Sequence, residues 1–186
     1  ALSGRAEPIQ ATGRAVRAVG ADYILFETSG AIGAVEARID TASMFSQLGL
    51  GFVPDPAVIR ELADVYTAAW GSQVAPSVAS LYSVEGRLSV NSGAPAVGRP
   101  AIAAVAQGFM AALPDMQVIM DGLHIQADRA VYRWTLVGTN SGPGGTGKPI
   151  RISGFEVWRI GADGLIMESN GYFDSAAWQH QLEHGT

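Results

Sequence analysis

The apolar positions fall into two regimes of spacing that meet near Met116. Before it they recur every three or four residues. Val58, Ile59, Leu62, Val65, Tyr66, Ala69 and Trp70 make one stripe of a helix that Asp55 can cap, Pro56 can open and Gly71 can stop. A second short helix is predicted to hold Val78, Leu81 and Tyr82, and Gly86 to begin a strand over residues 87–91. Gly98-Arg99-Pro100 opens a third helix, with Ile102, Val105, Phe109, Met110 and Leu113 on one stripe and Pro114 as its end. After Met116 the period drops to two. Residues 116–126 and 129–140 are predicted strands joined by a tight Ala127-Asp128 turn. Strands over 149–160 and 165–173 follow around Ala162-Asp163-Gly164, and residues 174–182 form a short capped helix. Helices first and a meander of long strands afterwards predict an α+β fold, a cone-shaped α+β barrel with the N-terminal helices packed on a curved antiparallel sheet and a pocket at its open end.

The run Gly49-Leu50-Gly51-Phe52-Val53-Pro54-Asp55-Pro56 breaks any regular element and marks a boundary. It separates an N-terminal extension of unknown role, residues 1–54, from the main domain, residues 55–186. Within the extension, Tyr23-Ile24-Leu25-Phe26 predicts a short strand and residues 34–48 a helix.

Composition narrows the function classes. In 186 residues with a net charge of -5 and no cysteine, disulfides, thiolate zinc sites, iron–sulfur clusters and thiol nucleophiles are all excluded. The single lysine, Lys148, and the acidic balance leave no basic stripe, so no nucleic-acid partner is expected. No stretch approaches the roughly 18 apolar residues of a membrane span. The alanine-rich start lacks the apolar segment of a signal peptide, so a cytoplasmic location is expected.

Two motifs match well-known patterns by count only. Gly142-Pro143-Gly144-Gly145-Thr146-Gly147-Lys148 fits phosphate-loop spacings, but Pro149 stands where a magnesium-binding hydroxyl belongs and Ile150-Arg151-Ile152 continues as a strand, so a hairpin loop is predicted. His180-Gln181-Leu182-Glu183-His184 has metalloprotease spacing, yet His124 belongs to a different element, and a solvated terminal helix is expected. No metal and no cofactor are predicted.

Strand alternation singles out a more coherent set. Tyr132, Trp134, Leu136 and Asn140 share one face, as do Ile152, Gly154, Glu156 and Trp158. If these faces point inward, Glu156 enters an apolar pocket, where desolvation raises a carboxyl pKa toward the working pH of a general acid/base. The alternative turns Glu156 outward to pair with Arg151 or Arg159. Trp70, Trp134 and Trp158 are either core or ligand platform, and His124 either a sheet histidine or a pocket base. Asp121 and Asp128 are assigned to turns. Glu168 and Asn170 alternate on the last strand, from which either can reach the pocket mouth.

The segments Val65-Tyr66-Thr67-Ala68-Ala69-Trp70, Leu81-Tyr82 and Val97-Gly98-Arg99-Pro100-Ala101-Ile102 resemble the SnoaL-like polyketide cyclase family of the nuclear-transport-factor-2-like superfamily. The resemblance continues through Arg133-Trp134-Thr135-Leu136-Val137-Gly138-Thr139-Asn140-Ser141-Gly142, Ile152-Ser153-Gly154-Phe155-Glu156-Val157-Trp158-Arg159 and Asp163-Gly164-Leu165-Ile166-Met167-Glu168-Ser169. It spans residues 56–182. It implies a cofactor-free enzyme closing a polyketide ring by intramolecular aldol condensation, usually on an ester. Glu156 falls at the acid/base position, with glutamate for the usual aspartate. Asn140 stands where a histidine is common, and an amide can donate to a carbonyl but cannot shuttle a proton. Tyr66, Trp70 and Asn91 match substrate-binding positions, and Tyr132, Trp134, Trp158 and Asn170 complete the expected binding set. The partner implied is a small hydrophobic molecule, without nucleic acid or membrane, and the assembly a homodimer through a convex sheet face bearing Val137, Thr139 and Val157. Other readings within reach are a non-catalytic small-molecule binding module and an isomerase or epoxide hydrolase of the same superfamily, the isomerase resembling the ketosteroid isomerases.

Overall fold

In the N-terminal part of the chain, β1 (Gly20–Phe26) pairs antiparallel with β2 (Ile32–Ile39). The computed structural model describes residues 20–26, 32–39 and 54–186, and the chain divides into two units, Ala1–Phe52 and Val53–Thr186. The strand predicted at Tyr23–Phe26 is part of β1. The helix predicted over 34–48 is not found at its start, because residues up to Ile39 form a ladder with β1 whose cross-strand pairing overrides local helix preference. Its remainder, and most of the predicted boundary at 49–54, lie outside the described residues.

The second unit begins as its pattern predicts. The Asp55 carboxylate accepts the Ala57 N–H at 2.8 Å and starts α1 (Pro56–Gly71), which buries Ile59, Leu62, Ala63, Tyr66, Ala69 and Trp70. The short α2 (Ala75–Ser80) follows. The next strand, β3 (Tyr82–Val90), begins five residues earlier than the sequence suggests. Leu81 and Tyr82 continue the apolar stripe of α2, but the Leu81 carbonyl accepts the Ile166 N–H at 3.0 Å and Tyr82 pairs with Ile166. Sheet bonds therefore replace helical ones, and an irregularity between Tyr82 and Arg87 takes up the register shift. Then come β4 (Ala96–Val97), α3 (Arg99–Ala112), β5 (Gln117–Gln126), β6 (Arg129–Thr139), β7 (Pro149–Ile160), β8 (Ile166–Phe173) and α4 (Ser175–His184). The glycine-rich stretch 142–148 connects β6 to β7 with no helix following it. No helix among the described residues is long and apolar enough to cross a membrane.

The six strands order as β4-β3-β8-β7-β6-β5. Strands β5 to β8 are the antiparallel meander read from the alternation, while β3 joins the β8 edge in parallel, so the sheet is mixed and open. Alternation reveals faces but not partners, which is why the parallel pairing is absent from the pattern. Register then stacks the inner face: Tyr132, Trp134 and Leu136 of β6 lie opposite Glu156, Gly154 and Ile152 of β7, and Gly171 and Phe173 of β8 lie opposite Glu156 and Gly154.

Gly154 is the notch in this face. A Cβ there would stand 2.6 Å from the Trp134 ring and 2.5 Å from the Tyr172 carbonyl oxygen. Gly154→Ala is therefore expected to destabilise the fold by about 1–3 kcal/mol through overpacking, measured as a lowered urea midpoint with unchanged slope.

Candidate functional site

Glu156 sits mid-strand on β7 with its side chain inward and 6% exposed. Burying a carboxylate is costly unless it is hydrogen-bonded, and here three donors converge on one oxygen. Oε2 accepts the Tyr66 hydroxyl at 2.9 Å, the Trp158 indole N–H at 2.9 Å and the Ser169 hydroxyl at 2.5 Å. Oε1 takes no donor among the described residues, although Glu156 lines a cavity. The Tyr82 hydroxyl lies 3.0 Å from that of Tyr66. Because Tyr66 has one proton and gives it to Glu156, Tyr82 is the donor in that pair. The result is a buried relay from Tyr82 through Tyr66 to Glu156, with Ser169 and Trp158 closing the other approaches.

Burial raises the Glu156 carboxyl above the usual carboxylate range, outweighing the three hydrogen bonds that favour its charged form. Burial raises Tyr66 and Tyr82 as well, and the neighbouring Glu156 charge pushes both in the same direction. Both phenols are thus neutral donors at any physiological pH. Tyr132 is also raised by burial. Its ring stacks on Trp158 with centroids 4.8 Å apart, and its hydroxyl donates to Thr67 Oγ1 at 2.7 Å, since the Thr67 proton goes to the Ala63 carbonyl.

The cavity beside Oε1 is walled by Tyr66 and Trp70 from α1, Leu88 and Val90 from β3 and Phe109 from α3. Val118, Tyr132, Trp134, Leu136, Gly171 and Phe173 complete it from the sheet. Glu156 is the single carboxyl group in an otherwise apolar lining. Its free volume is about 50 Å³, room for a few water molecules, so a ring-bearing ligand must displace part of the aromatic wall. Trp178 of α4 packs on Phe109 and Phe173 at 5.7 and 5.8 Å, one layer behind.

Of the residues named from sequence, Glu156, Tyr66, Trp70, Tyr132 and Trp134 meet in this one cavity, with Trp158 behind Glu156 as its donor. The three asparagines do not. Asn140 lies one residue past the end of β6, where the strand alternation no longer sets its direction. Its amide donates to Thr146 Oγ1 at 3.1 Å and to the Leu182 carbonyl at 3.3 Å. Asn91 follows β3 in a left-handed conformation, φ 51°, and its Oδ1 accepts the Phe173 N–H, outside the cavity. Asn170 belongs to the outer face of β8 and donates to Glu168, which itself approaches Arg159 at 3.7 Å. His124 is exposed on β5, and Asp121 accepts the Thr135 hydroxyl on the outer face. Among the described residues no group of histidines and carboxylates is arranged to hold a metal.

Two members of the hydrogen-bond cluster around Glu156 are not marked by the sequence pattern. The apolar stripe of α2 places Tyr82 in a helix, whereas it opens β3, and Ser169 carries no apolar signal beside its larger neighbours. The available signal was the small-residue parity of β8, Ser169-Gly171, opposite an inward glutamate.

Residues 63–169 match the model of the SnoaL-like domain. No curated protein matches the sequence. Among solved structures, a candidate SnoaL-like polyketide cyclase from Jannaschia sp. CCS1 superposes with a TM-score of 0.63 at 17% identity, covering 73% of this chain and all of its own. TsrD from Streptomyces laurentii gives 0.61 at 22% identity, over 69% of this chain and 97% of TsrD. A Catenulispora acidiphila protein with a ketosteroid isomerase-like fold, solved with trimethylamine, gives 0.59 at 16%, over 69% and 94%. These likenesses establish the fold.

A buried carboxyl with a raised pKa leaves a signature in stability. The native state holds the Glu156 proton more tightly than the unfolded chain, so native-state proton binding exceeds unfolded-state binding above the ordinary value of 4.5. Stability then falls as pH rises from there through the raised native value, and levels beyond it. Glu156→Gln removes this component. The stability of the variant minus that of the wild type, from denaturation series across this range, is expected to grow with pH.

Proposed function

Because this chain belongs to the SnoaL-like domain family, we propose that it is a cofactor-free acid/base enzyme acting on a small hydrophobic carbonyl compound, in the manner of a polyketide or ester cyclase. The observation that carries this reading is the asymmetry of Glu156: one oxygen anchored by three donors, the other free on an apolar cavity. Anchoring fixes the direction of the free lone pairs, and dehydration makes the carboxylate a stronger base.

In the proposed reaction Oε1 takes a proton from a carbon flanked by two carbonyls. The C–H electron pair moves into the adjacent carbonyl, giving an enolate. The enolate carbon attacks a third, more distant carbonyl of the same molecule, a C–C bond closes the ring, and the new alkoxide recovers the proton from Glu156. Atoms and charge balance without a co-reactant, and much of the rate enhancement is positional. Tyr66 serves here as an anchor of the base and not as a carbonyl donor, because its proton is committed to Oε2.

Glu156→Gln is expected to retain the fold and to slow deuterium uptake at the central carbon of 1-phenylbutane-1,3-dione by roughly 10²–10⁴-fold, followed by NMR in heavy water. Uptake at the wild-type rate would remove Glu156 from the mechanism.

We also propose a homodimer through the outer sheet face. Ile119, Phe155 and Tyr172 are exposed there, with the Phe155 and Tyr172 rings 5.3 Å apart on adjacent strands. Placing a charge in this patch with Phe155→Glu is expected to convert a sedimenting dimer to monomer without loss of helix or sheet signal. A wild-type monomer at high concentration would overturn the assembly.

A further inference from the structure

Strands β3 to β8 contain five glycines, and four of them stand against a close neighbour. A Cβ at Gly86 would lie 2.8 Å from the Ser83 carbonyl oxygen, and one at Gly122 2.7 Å from the Arg133 guanidinium. At Gly138 it would lie 3.2 Å from the Asp115 carboxylate, and at Gly154 2.5 Å from the Tyr172 carbonyl oxygen. Gly171 of β8 is the exception. A Cβ there would meet nothing nearer than the Glu156 Cγ at 3.4 Å and the Ser89 carbonyl oxygen at 3.6 Å, which are ordinary van der Waals distances. Nor does the backbone demand a glycine, because φ at Gly171 is not positive. The position is in fact a poor one for it. β8 lies between β3 and β7, and Gly171 pairs with Val90 on one side and Glu156 on the other. Glycine in a strand interior loses more backbone entropy than alanine and packs no side chain, so the fold would gain from a methyl group here. What the missing methyl leaves is space: Gly171 is buried, lines the cavity and lies beside the carboxyl group whose Oε1 takes no donor among the described residues.

We propose that Gly171 is the specificity-determining residue of this cavity, and that the space over its Cα receives a flat ring of the ligand beside the Glu156 carboxyl group. The same face shows what such a gap accepts. On the neighbouring strand the Gly154 notch is covered by the Trp134 ring, 2.6 Å from where a Cβ would stand. A ring can lie on the bare backbone of a strand glycine, where any side chain would hold it off. No ring of the protein is among the nearest neighbours of the Gly171 gap. The walls of the cavity include Tyr66, Trp70, Phe109, Tyr132, Trp134 and Phe173, with which a ring makes edge-to-face contacts that a linear chain lacks. An alanine at this position would fill the gap with a methyl group that a ring cannot bend around and a linear chain can. The proposal rests on the reading given above only in taking the cavity as the ligand site; it does not require Glu156 to act as a base.

The test titrates the whole ¹⁵N-labelled protein with two ketones, acetophenone, which carries a ring, and hexan-2-one, which is linear. In the wild type, acetophenone is expected to move the Gly171 amide resonance and to bind more tightly than hexan-2-one. Gly171→Ala is expected to raise the urea midpoint at unchanged slope, to weaken acetophenone binding about tenfold and to leave hexan-2-one binding unchanged. A lowered midpoint, or a variant that does not fold, would make the glycine a requirement of the fold and overturn the proposal. Equal loss of both ketones, undiminished acetophenone binding, or no Gly171 shift with acetophenone in the wild type would each overturn it too. Glu156→Gln separates the two proposals. If it keeps deuterium uptake while Gly171→Ala loses acetophenone alone, the base fails and Gly171 stands; if uptake is lost while Gly171→Ala treats both ketones alike, Gly171 fails and the base stands.

Discussion

Three hydrogen bonds onto a single carboxylate oxygen hold this site together. A glutamate in the middle of an inward-facing strand would be expelled or protonated without them, and the elements that supply them come from three directions: Tyr66 from α1, Trp158 from the same strand, and Ser169 from β8. The charged form is therefore tolerated but not favoured, because desolvation remains the largest influence on its proton affinity. An acid/base group held between two protonation states needs this kind of opposition. The same bonds tie helix α1 to the sheet, so the chemistry of the site and the packing of the core use one set of contacts.

The aromatic residues divide into two roles by where their polar ends point. Tyr66, Tyr82, Tyr132 and Trp158 turn their hydroxyl or indole hydrogens into the protein, and their rings interlock at centroid distances of 4.8 to 6.2 Å. They form a rigid back wall. Trp70 and Trp134 have no acceptor for theirs among the described residues.

The parts of the fold and site that were legible in the sequence are those governed by local periodicity. Helix α1 and its Asp55 cap and the meander from β5 to β8 follow from spacing alone, whereas for Tyr132, Trp134, Glu156 and Trp158 spacing gives only the shared faces and leaves open which way Glu156 points, inward or outward to an arginine. Errors cluster where a ladder ends or an apolar signal is absent. Asn140 lies just past Thr139, beyond the reach of alternation. On β8 the inward residues are Ser169, Gly171 and Phe173, small where Glu156 and its cavity need room, so the pattern looks no more apolar on that face than on the one bearing Glu168 and Asn170. The pattern does not separate Tyr82 from α2, because an apolar stripe can run off the end of a helix into a strand without a break. The parallel pairing of β3 with β8 is a long-range fact that no window of sequence contains.

That pairing has a consequence for how the protein is made. β3 is synthesised before β5, β6 and β7, but its partner β8 only after them, and Ser169 arrives with it. Until then the inner rim of β3, the hydroxyls of Tyr66 and Tyr82, and the carboxylate they serve remain without their full complement of neighbours. The sheet of this unit therefore cannot be completed until β8 has emerged, and a nascent chain stalled short of β8 would present an unfinished sheet edge to whatever chaperone is near.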